Sequence, residues 1–150
     1  MKKDLGFVVE IFSAHKDSKG LPRPIVKELM CIENYGIQND KFANDNLDKT
    51  VMIVGLKSYD IAKENGMDLA YGSYGENILF DFDPHEFELG TIFEVGDICL
   101  EVTETCTICN HLSIFGVKLP KLIKKHRGMY CKILESGVIT KGSHVRKKND

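Results

Sequence analysis

The chain has 150 residues, of which 43% are hydrophobic, 28% charged and 9% aromatic. This length suits one domain with a substantial hydrophobic core, and the composition excludes a disordered or collagen-like chain. The formal net charge of -2 argues against a dedicated nucleic-acid binder and against a protein that lies on a membrane surface. The longest apolar runs are only a few residues long, as at residues 51–54, so no membrane-spanning helix is predicted.

The N-terminal residues have too short an apolar stretch for a secretory signal, and the five cysteines are an odd number. A disulfide framework is typical of small exported proteins with an even cysteine count. We therefore expect a cytoplasmic protein with reduced thiols, most of them small core residues.

Strands and one helix are predicted in the first half of the chain. Apolar runs and period-2 alternation predict strands at residues 7–12, 25–32 and 50–54, and polar or proline-rich segments predict loops at residues 17–24 and 38–49. A helix is predicted over residues 57–65, because Tyr59 and Ala62 can share one face and Gly66 can end the helix.

The second half predicts a strand at residues 78–80 and two hairpins. The first hairpin joins residues 93–95 to 98–102, and the second joins residues 129–134 to 138–140 around Ser136 and Gly137. Between them residues 118–126 are predicted to be helical, and residues 146–150 to form a frayed tail. Together these elements predict one mainly β, barrel-like domain over residues 1–150 with a few short helices.

The segment at residues 106–111, Cys-Thr-Ile-Cys-Asn-His, follows a predicted strand, where loops commonly display reactive groups. Cys106 and Cys109 are compatible with a redox pair or with two packed thiols. With His111 they are also compatible with three zinc ligands. A fourth interpretation is a single functional thiolate, acting as a sulfur nucleophile or a soft metal ligand. The spacing alone leaves all four open.

Other segments offer candidate binding groups. Two glycines in residues 72–78 allow the backbone to approach a ligand closely, and Arg23 lies between two prolines that stiffen its loop for anion binding. Each segment is equally compatible with an ordinary turn. The late helix is predicted to be amphipathic, with these residues on its charged side: Lys118, Lys121, Lys124, Lys125 and Arg127.

Taken in chain order, these segments resemble the MOSC domain, named for the C-terminal domain of molybdenum-cofactor sulfurase. Residues 74–78, Tyr-Gly-Glu-Asn-Ile, are similar to the family's Phe-Gly-Glu-Asn-Leu motif, and residues 36–41 are similar to its Gly-x-x-Gly-Asp-Arg-His segment. Cys109 falls on the family's characteristic cysteine. The resemblance runs from about residue 6 to residue 145, followed by a short basic tail.

The resemblance implies a β-barrel-like fold that handles the molybdenum cofactor, a molybdopterin. It implies that Cys109 is a reactive thiolate that carries sulfur as a persulfide or ligates molybdenum. Arg23 and Lys41 would hold the pterin phosphate, and Glu76 and Asn77 would line the pocket. The full set of implied cofactor-binding residues is Arg23, Asp40, Lys41, Gly75, Glu76 and Asn77.

The sequence also departs from the family pattern. Asn39, Lys41 and Phe42 stand where glycine, arginine and histidine are usual, and residues 105–108 lack the Pro-Arg-x-Pro pattern of reductase-like relatives. The chain therefore resembles the short, stand-alone members. We expect a cofactor-binding or sulfur-carrier protein whose partners are the cofactor or its biosynthesis and sulfuration proteins. The alternatives are a non-catalytic binding module of that pathway and a reductase component for N-hydroxylated compounds that needs separate electron donors.

Overall fold

The computed structural model describes residues 3–18, 20–107 and 110–148, and its main feature is a closed seven-stranded β-barrel. Neighbouring strands follow the order β1-β10-β6-β7-β8-β4-β5, and a second sheet has the order β3-β2-β9. This confirms the predicted mainly β, barrel-like fold class. The strands are β1 (Lys3–Ile11), β2 (Glu28–Ile32), β3 (Gly36–Ile37), β4 (Val51–Gly55), β5 (Ile78–Phe80), β6 (Ile92–Val95), β7 (Ile98–Thr105), β8 (Met129–Glu135), β9 (Gly137–Thr140) and β10 (His144–Lys147).

Strand β4 is buried along its whole length, which explains its continuous apolar sequence. Val51 and Ile53 contribute to the cluster inside the barrel, whereas Met52 and Val54 belong to a second cluster on the outer side. β4 pairs parallel with β5, while the other pairings within the barrel are antiparallel. Parallel strands are typically covered on both faces, as β4 is here.

Two α-helices contribute side chains to the outer cluster: α1 (Leu56–Glu64) and α2 (Leu119–Leu122). The prediction of α1 is confirmed, since Tyr59 and Ala62 are buried and Gly66 has the left-handed φ of 83° that suits a residue just beyond a helix. None of the helices in the described part of the chain has the length and apolar character needed to cross a bilayer.

The helix predicted over residues 118–126 is interrupted. It consists of the single turn of α2 followed by a 3₁₀ turn, because Ile123 has a φ of -96° and a ψ of 2° that end the α-helix. Within the described residues, 3₁₀ turns lie at Leu47–Lys49, Pro84–Glu86, Asn110–Ile114 and Lys124–His126.

The hairpin predicted at residues 93–102 is confirmed as β6 and β7, but the second predicted hairpin is wrong. β8 pairs with β4 and β7 in the barrel, whereas β9 pairs with β2 in the small sheet. Only Ser136 separates β8 from β9, which is shorter than the two-residue loop of the tightest common hairpins. The chain therefore passes from one sheet into the other at this residue.

The prediction of a frayed tail from residue 146 is also wrong for its first two residues. Arg146 and Lys147 belong to β10, which pairs with both β1 and β6 and so completes the barrel. Val145 is the one buried residue of this strand, so the sequence carries too little apolar alternation to reveal it.

Candidate functional site

A cavity of about 520 Å³ lies where β4 and several loops meet. Four cationic side chains line it, and Asp45 is the one carboxylate among its described lining residues. The local field therefore favours an anionic ligand. The cationic lining residues are Arg23, Lys41, Lys49 and Arg127.

The rest of the lining combines aromatic and apolar side chains, including Leu21, Met52, Tyr74 and Tyr130. Phe42 also lines the cavity, and its ring centroid lies 5.0 Å from Arg23 Cζ and 5.6 Å from Lys41 Nζ. Both distances are within cation–π range. A cavity that pairs flat apolar walls with cations suits a planar ring that carries an anionic group.

Arg23 brings a buried charge to the cavity wall. Its side chain is only 10% exposed, and its Nη1 atom has no hydrogen-bond partner among the described residues. Burial lowers the pKa of Arg23, and the Asp40 carboxylate acts in the opposite direction. A buried guanidinium nitrogen without a hydrogen-bond partner is costly, and the Asp40 carboxylate, 3.6 Å away, offsets part of this cost.

Gly72 holds the backbone of Arg23 in place. The Arg23 amide donates to the Gly72 carbonyl oxygen over 3.0 Å, and a Cβ atom on Gly72 would lie 2.8 Å from the Arg23 carbonyl oxygen. Gly72 also has a φ of 94°, in the left-handed region. The glycine-rich turn was predicted to allow a close approach of the backbone to a ligand. At Gly72 the group that comes close is the backbone of the Arg23 loop.

Asp40 lies behind Arg23 and organises the loops around it. Asp40 Oδ1 accepts hydrogen bonds from Ser13 Oγ (2.7 Å), the Ala14 amide (3.2 Å) and Asn77 Nδ2 (3.3 Å), while Oδ2 accepts from the Phe42 amide (3.1 Å). These donors compensate a carboxylate that is only 2% exposed. Asp40 thus contacts two other residues that were predicted to bind the cofactor, Arg23 and Asn77.

Asn77 lines the cavity as expected, but its amide is engaged within the protein. Oδ1 accepts from the Met52 amide over 3.0 Å, and Nδ2 donates to the Phe12 carbonyl and to Asp40. Both Nδ2 hydrogens are therefore used, which leaves little donor capacity for a pterin. Gly75 and Lys41 also line the cavity, and Lys41 Nζ donates to the Ser18 carbonyl oxygen over 3.1 Å.

Glu76 is not among the residues that line the cavity, which corrects the expectation that it forms part of the wall. Its side chain is fully buried, and Oε2 accepts a 2.5 Å hydrogen bond from Tyr59 Oη. Burial raises the pKa of Glu76, although the Tyr59 hydrogen bond, backbone hydrogen bonds and the Arg127 charge oppose this effect. Burial and the nearby Glu76 also raise the pKa of Tyr59.

Arg127 was predicted on the exposed side of the late helix, but the structure buries it at 3% exposure beside the cavity. Its Nη1 donates to the Tyr74 carbonyl oxygen over 2.6 Å, and its Nη2 lies 3.3 Å from His111 Nε2. The sequence did contain a signal. Leu119, Ile123 and Arg127 are spaced by four residues, and all three are buried.

His111 brings the segment after the cysteine pair to the cavity wall. Burial, and then the charge of Arg127, lower the pKa of His111, which favours its neutral form. Cys106 is buried, and its Sγ lies 3.4 Å from Tyr130 Oη. Burial and the Cys106 contact raise the pKa of Tyr130 to about 12.

Cys109, the predicted reactive residue, lies outside the described residues. The hypotheses that depend on it, a thiolate, a redox pair and a zinc site with Cys106 and His111, therefore stay predictions.

Comparison with known protein families identifies the chain. The MOSC domain profile matches residues 38–146, which is more than half of the sequence. The chain belongs to the MOSC domain family. The expected family resemblance is thereby confirmed, while a comparison with functionally curated proteins finds no match.

Solved structures show that the MOSC chain shares its fold with several bacterial proteins. The YuaD protein of Bacillus subtilis superposes with a TM-score of 0.76 at 14% identity, covering 99% of this chain and 100% of that protein. YiiM of Geobacillus stearothermophilus superposes with a TM-score of 0.71 at 18% identity, covering 99% of this chain and 76% of that protein. YiiM of Escherichia coli superposes with a TM-score of 0.71 at 16% identity, covering 97% of this chain and 71% of that protein. At these sequence identities the similarity shows a shared fold alone.

Proposed function

We propose that this MOSC protein binds the molybdenum cofactor in the 520 Å³ cavity and acts as a cofactor-binding or sulfur-carrier protein. The observation that carries the proposal is the Arg23 side chain, which lines the cavity, is only 10% exposed and has a guanidinium nitrogen without a hydrogen-bond partner among the described residues. The pterin phosphate of the cofactor would bind the Arg23 guanidinium.

The residues present fit such a ligand. Arg23, Lys41 and Arg127 would bind the anionic group, and guanidinium groups match phosphate oxygens with two parallel donors. Phe42 and Tyr130 would contact the flat ring system through their apolar faces. Asp40 would keep Arg23 in place and balance part of its charge without touching the ligand itself.

We assign the reactive sulfur to Cys109. When bound, the cofactor would supply a molybdenum centre with affinity for sulfur ligands. A thiolate is both a soft metal donor and a sulfur nucleophile, so Cys109 can serve as a ligand or as a persulfide carrier. In the persulfide role, the sulfur donor and acceptor would be partner proteins of cofactor sulfuration.

The test compares Cys109→Ser with Cys106→Ser in protein purified from a molybdenum-replete host. We expect Cys109→Ser to lose labile sulfur or to retain less molybdenum and pterin, because the serine hydroxyl is neither a soft ligand nor a sulfur carrier. Cys106→Ser should retain both, since the Cys106 side chain packs in the outer cluster. Unchanged labile sulfur and cofactor content in Cys109→Ser would defeat the assignment.

A further inference from the structure

The backbone of residues 126–128, which carries Arg127, is anchored by groups from three other parts of the chain. The His126 carbonyl oxygen accepts from Ser58 Oγ over 2.6 Å, and the Gly128 carbonyl oxygen accepts from the Cys106 amide over 2.9 Å. The third anchor is the imidazole of His85, whose Nε2 accepts a hydrogen bond from the Gly128 amide over 2.9 Å. Gly128 has a φ of 131°, and a Cβ atom there would lie 3.2 Å from side-chain atoms of β4.

The His85 contacts fix the tautomer of its imidazole. Nε2 accepts the Gly128 N–H, so Nδ1 carries the proton, and Nδ1 lies 2.7 Å from Asp83 Oδ1. The His85 side chain is only 6% exposed. Burial alone raises the pKa of Asp83, but hydrogen bonds from the His85 ring and backbone outweigh it, so that this pKa lies below its ordinary value.

We propose that Asp83 and His85 are positioning residues for Arg127: the Asp83 carboxylate holds the imidazole as an acceptor for Gly128, and this fixes the turn that directs the Arg127 guanidinium to the cavity. Neither residue is among those that line the cavity. This inference rests on the proposed anion-binding role of Arg127.

A metal site is the competing interpretation of the same cluster. Donor atoms of Asp83, His85 and His126 lie within 4.8 Å of one another. His126 Nδ1 lies 3.2 Å from Asp83 Oδ2, so it is close to the same carboxylate. The His85 Nδ1 atom could bind a metal only after losing its proton, while Nε2 is already committed to Gly128. The hydrogen bonds therefore favour positioning over metal binding.

The test uses sulfate as the probe, titrated into the full chain and followed by ¹⁵N NMR. Arg127→Gln should weaken sulfate binding about tenfold, the loss expected for one charge-assisted contact. His85→Asn should weaken it to a similar extent, because the shorter amide can contact Asp83 but cannot reach the Gly128 amide. His85→Gln should bind within about twofold of the unmodified protein, since its longer amide can accept from Gly128.

Asp83→Asn provides a second test that keeps the size of the side chain. An amide at this position can donate to His85 Nδ1 and so move the imidazole proton to Nε2, opposite the Gly128 N–H. We expect the Nε2 resonance to change from the pyridine type to the pyrrole type, and sulfate binding to weaken. This variant keeps the inference testable if His85→Asn does not fold.

The outcomes separate the two proposals. If the unmodified protein binds no sulfate, the anion-binding function of the cavity fails. If Arg127→Gln leaves sulfate binding unchanged, Arg127 does not bind the anion and the positioning role is overturned with it. If Arg127→Gln loses binding while His85→Asn and Asp83→Asn keep it, only the positioning role is overturned. Equal losses in His85→Gln and His85→Asn would also overturn it, as would displacement of the Nδ1 proton by stoichiometric Zn²⁺ in the unmodified protein.

Discussion

Arg23 Nη1 lies 3.6 Å from Asp40 Oδ1, so the two groups form an ion pair without a hydrogen bond. Both side chains are at least nine-tenths buried. Asp40 satisfies its oxygens with donors from two other segments and from its own loop, whereas Arg23 Nη1 is buried and has no hydrogen-bond partner among the described residues. The carboxylate therefore offsets the buried positive charge without forming a hydrogen bond to this nitrogen.

Asp40→Asn should destabilise the fold by about 2–4 kcal/mol, because the amide cannot accept from all four donors and no longer balances Arg23. Urea unfolding measures the change. Asp45→Asn, at an exposed carboxylate of the same loop, is the control and should change stability by less than about 0.5 kcal/mol. Equal effects of the two substitutions would contradict the structural role of Asp40.

Gly72→Ala should displace the Arg23 loop and reduce cofactor retention, since the added Cβ atom would clash with the Arg23 carbonyl oxygen. Gly66→Ala is a matched control, because Gly66 has a similar φ of 83° but a Cβ atom added there would meet nothing within 4 Å. Backbone strain alone should lower the unfolding free energy of Gly66→Ala by about 1–2 kcal/mol. Gly72→Ala should lower it further, because the clash adds to the strain. Indistinguishable unfolding free energies would show that the close approach is unimportant.

Glu76→Gln should change how stability depends on pH. Because the pKa of Glu76 is raised in the folded state, its favourable contribution is complete below the unfolded value of about 4.3 and is lost as pH rises towards the folded value. The variant cannot titrate at this position. Above about pH 4.3 its unfolding free energy should therefore rise relative to that of the unmodified protein, by up to about 1.4 kcal/mol per pH unit.

Urea unfolding at several values between about pH 4 and 8 measures this difference. Glu33→Gln, at an exposed glutamate, controls for the loss of one negative charge. Parallel stability curves for Glu76→Gln and the unmodified protein would show that Glu76 does not take up a proton on folding.

Thiol titration of the folded protein tests the assignment of Cys109. The four other cysteines are buried, and burial raises the pKa of Cys31 to about 12 and raises that of Cys131 as well. Buried, protonated thiols react slowly. We expect one fast-reacting thiol in the native protein, its absence in Cys109→Ser, and five reactive thiols after denaturation. A fast thiol that survives in Cys109→Ser would contradict the assignment, and none at all would favour a non-catalytic binding module.

Local sequence patterns predicted the helices and strands that are determined by their own residues. The Tyr59 and Ala62 spacing with Gly66 indicated α1, and the apolar run of β4 indicated a buried strand. β10 escaped prediction because its place depends on pairing with β1 and β6 rather than on its own composition. The change of sheet at Ser136 likewise depends on which distant strands accept β8 and β9.

The site shows the same division between local and distant contacts. Of the residues predicted to bind the cofactor, four line one cavity: Arg23, Lys41, Gly75 and Asn77. Motif order did not reveal that Glu76 is buried away from the cavity, because that placement depends on the hydrogen bond from Tyr59 on α1. Arg127 was misplaced because its charge suggested solvent, although its spacing from Ile123 indicated the buried side.

The most direct test of the account is the molybdenum and pterin content of protein purified from a molybdenum-replete host. The unmodified protein should carry both, and Arg23→Gln should lose most of them because a cationic side chain that lines the cavity is gone. Arg146→Gln, the same change at an exposed position on β10, should retain them. Equal content in Arg23→Gln and the unmodified protein, or no pterin in any of them, would contradict the proposal that this cavity binds the cofactor.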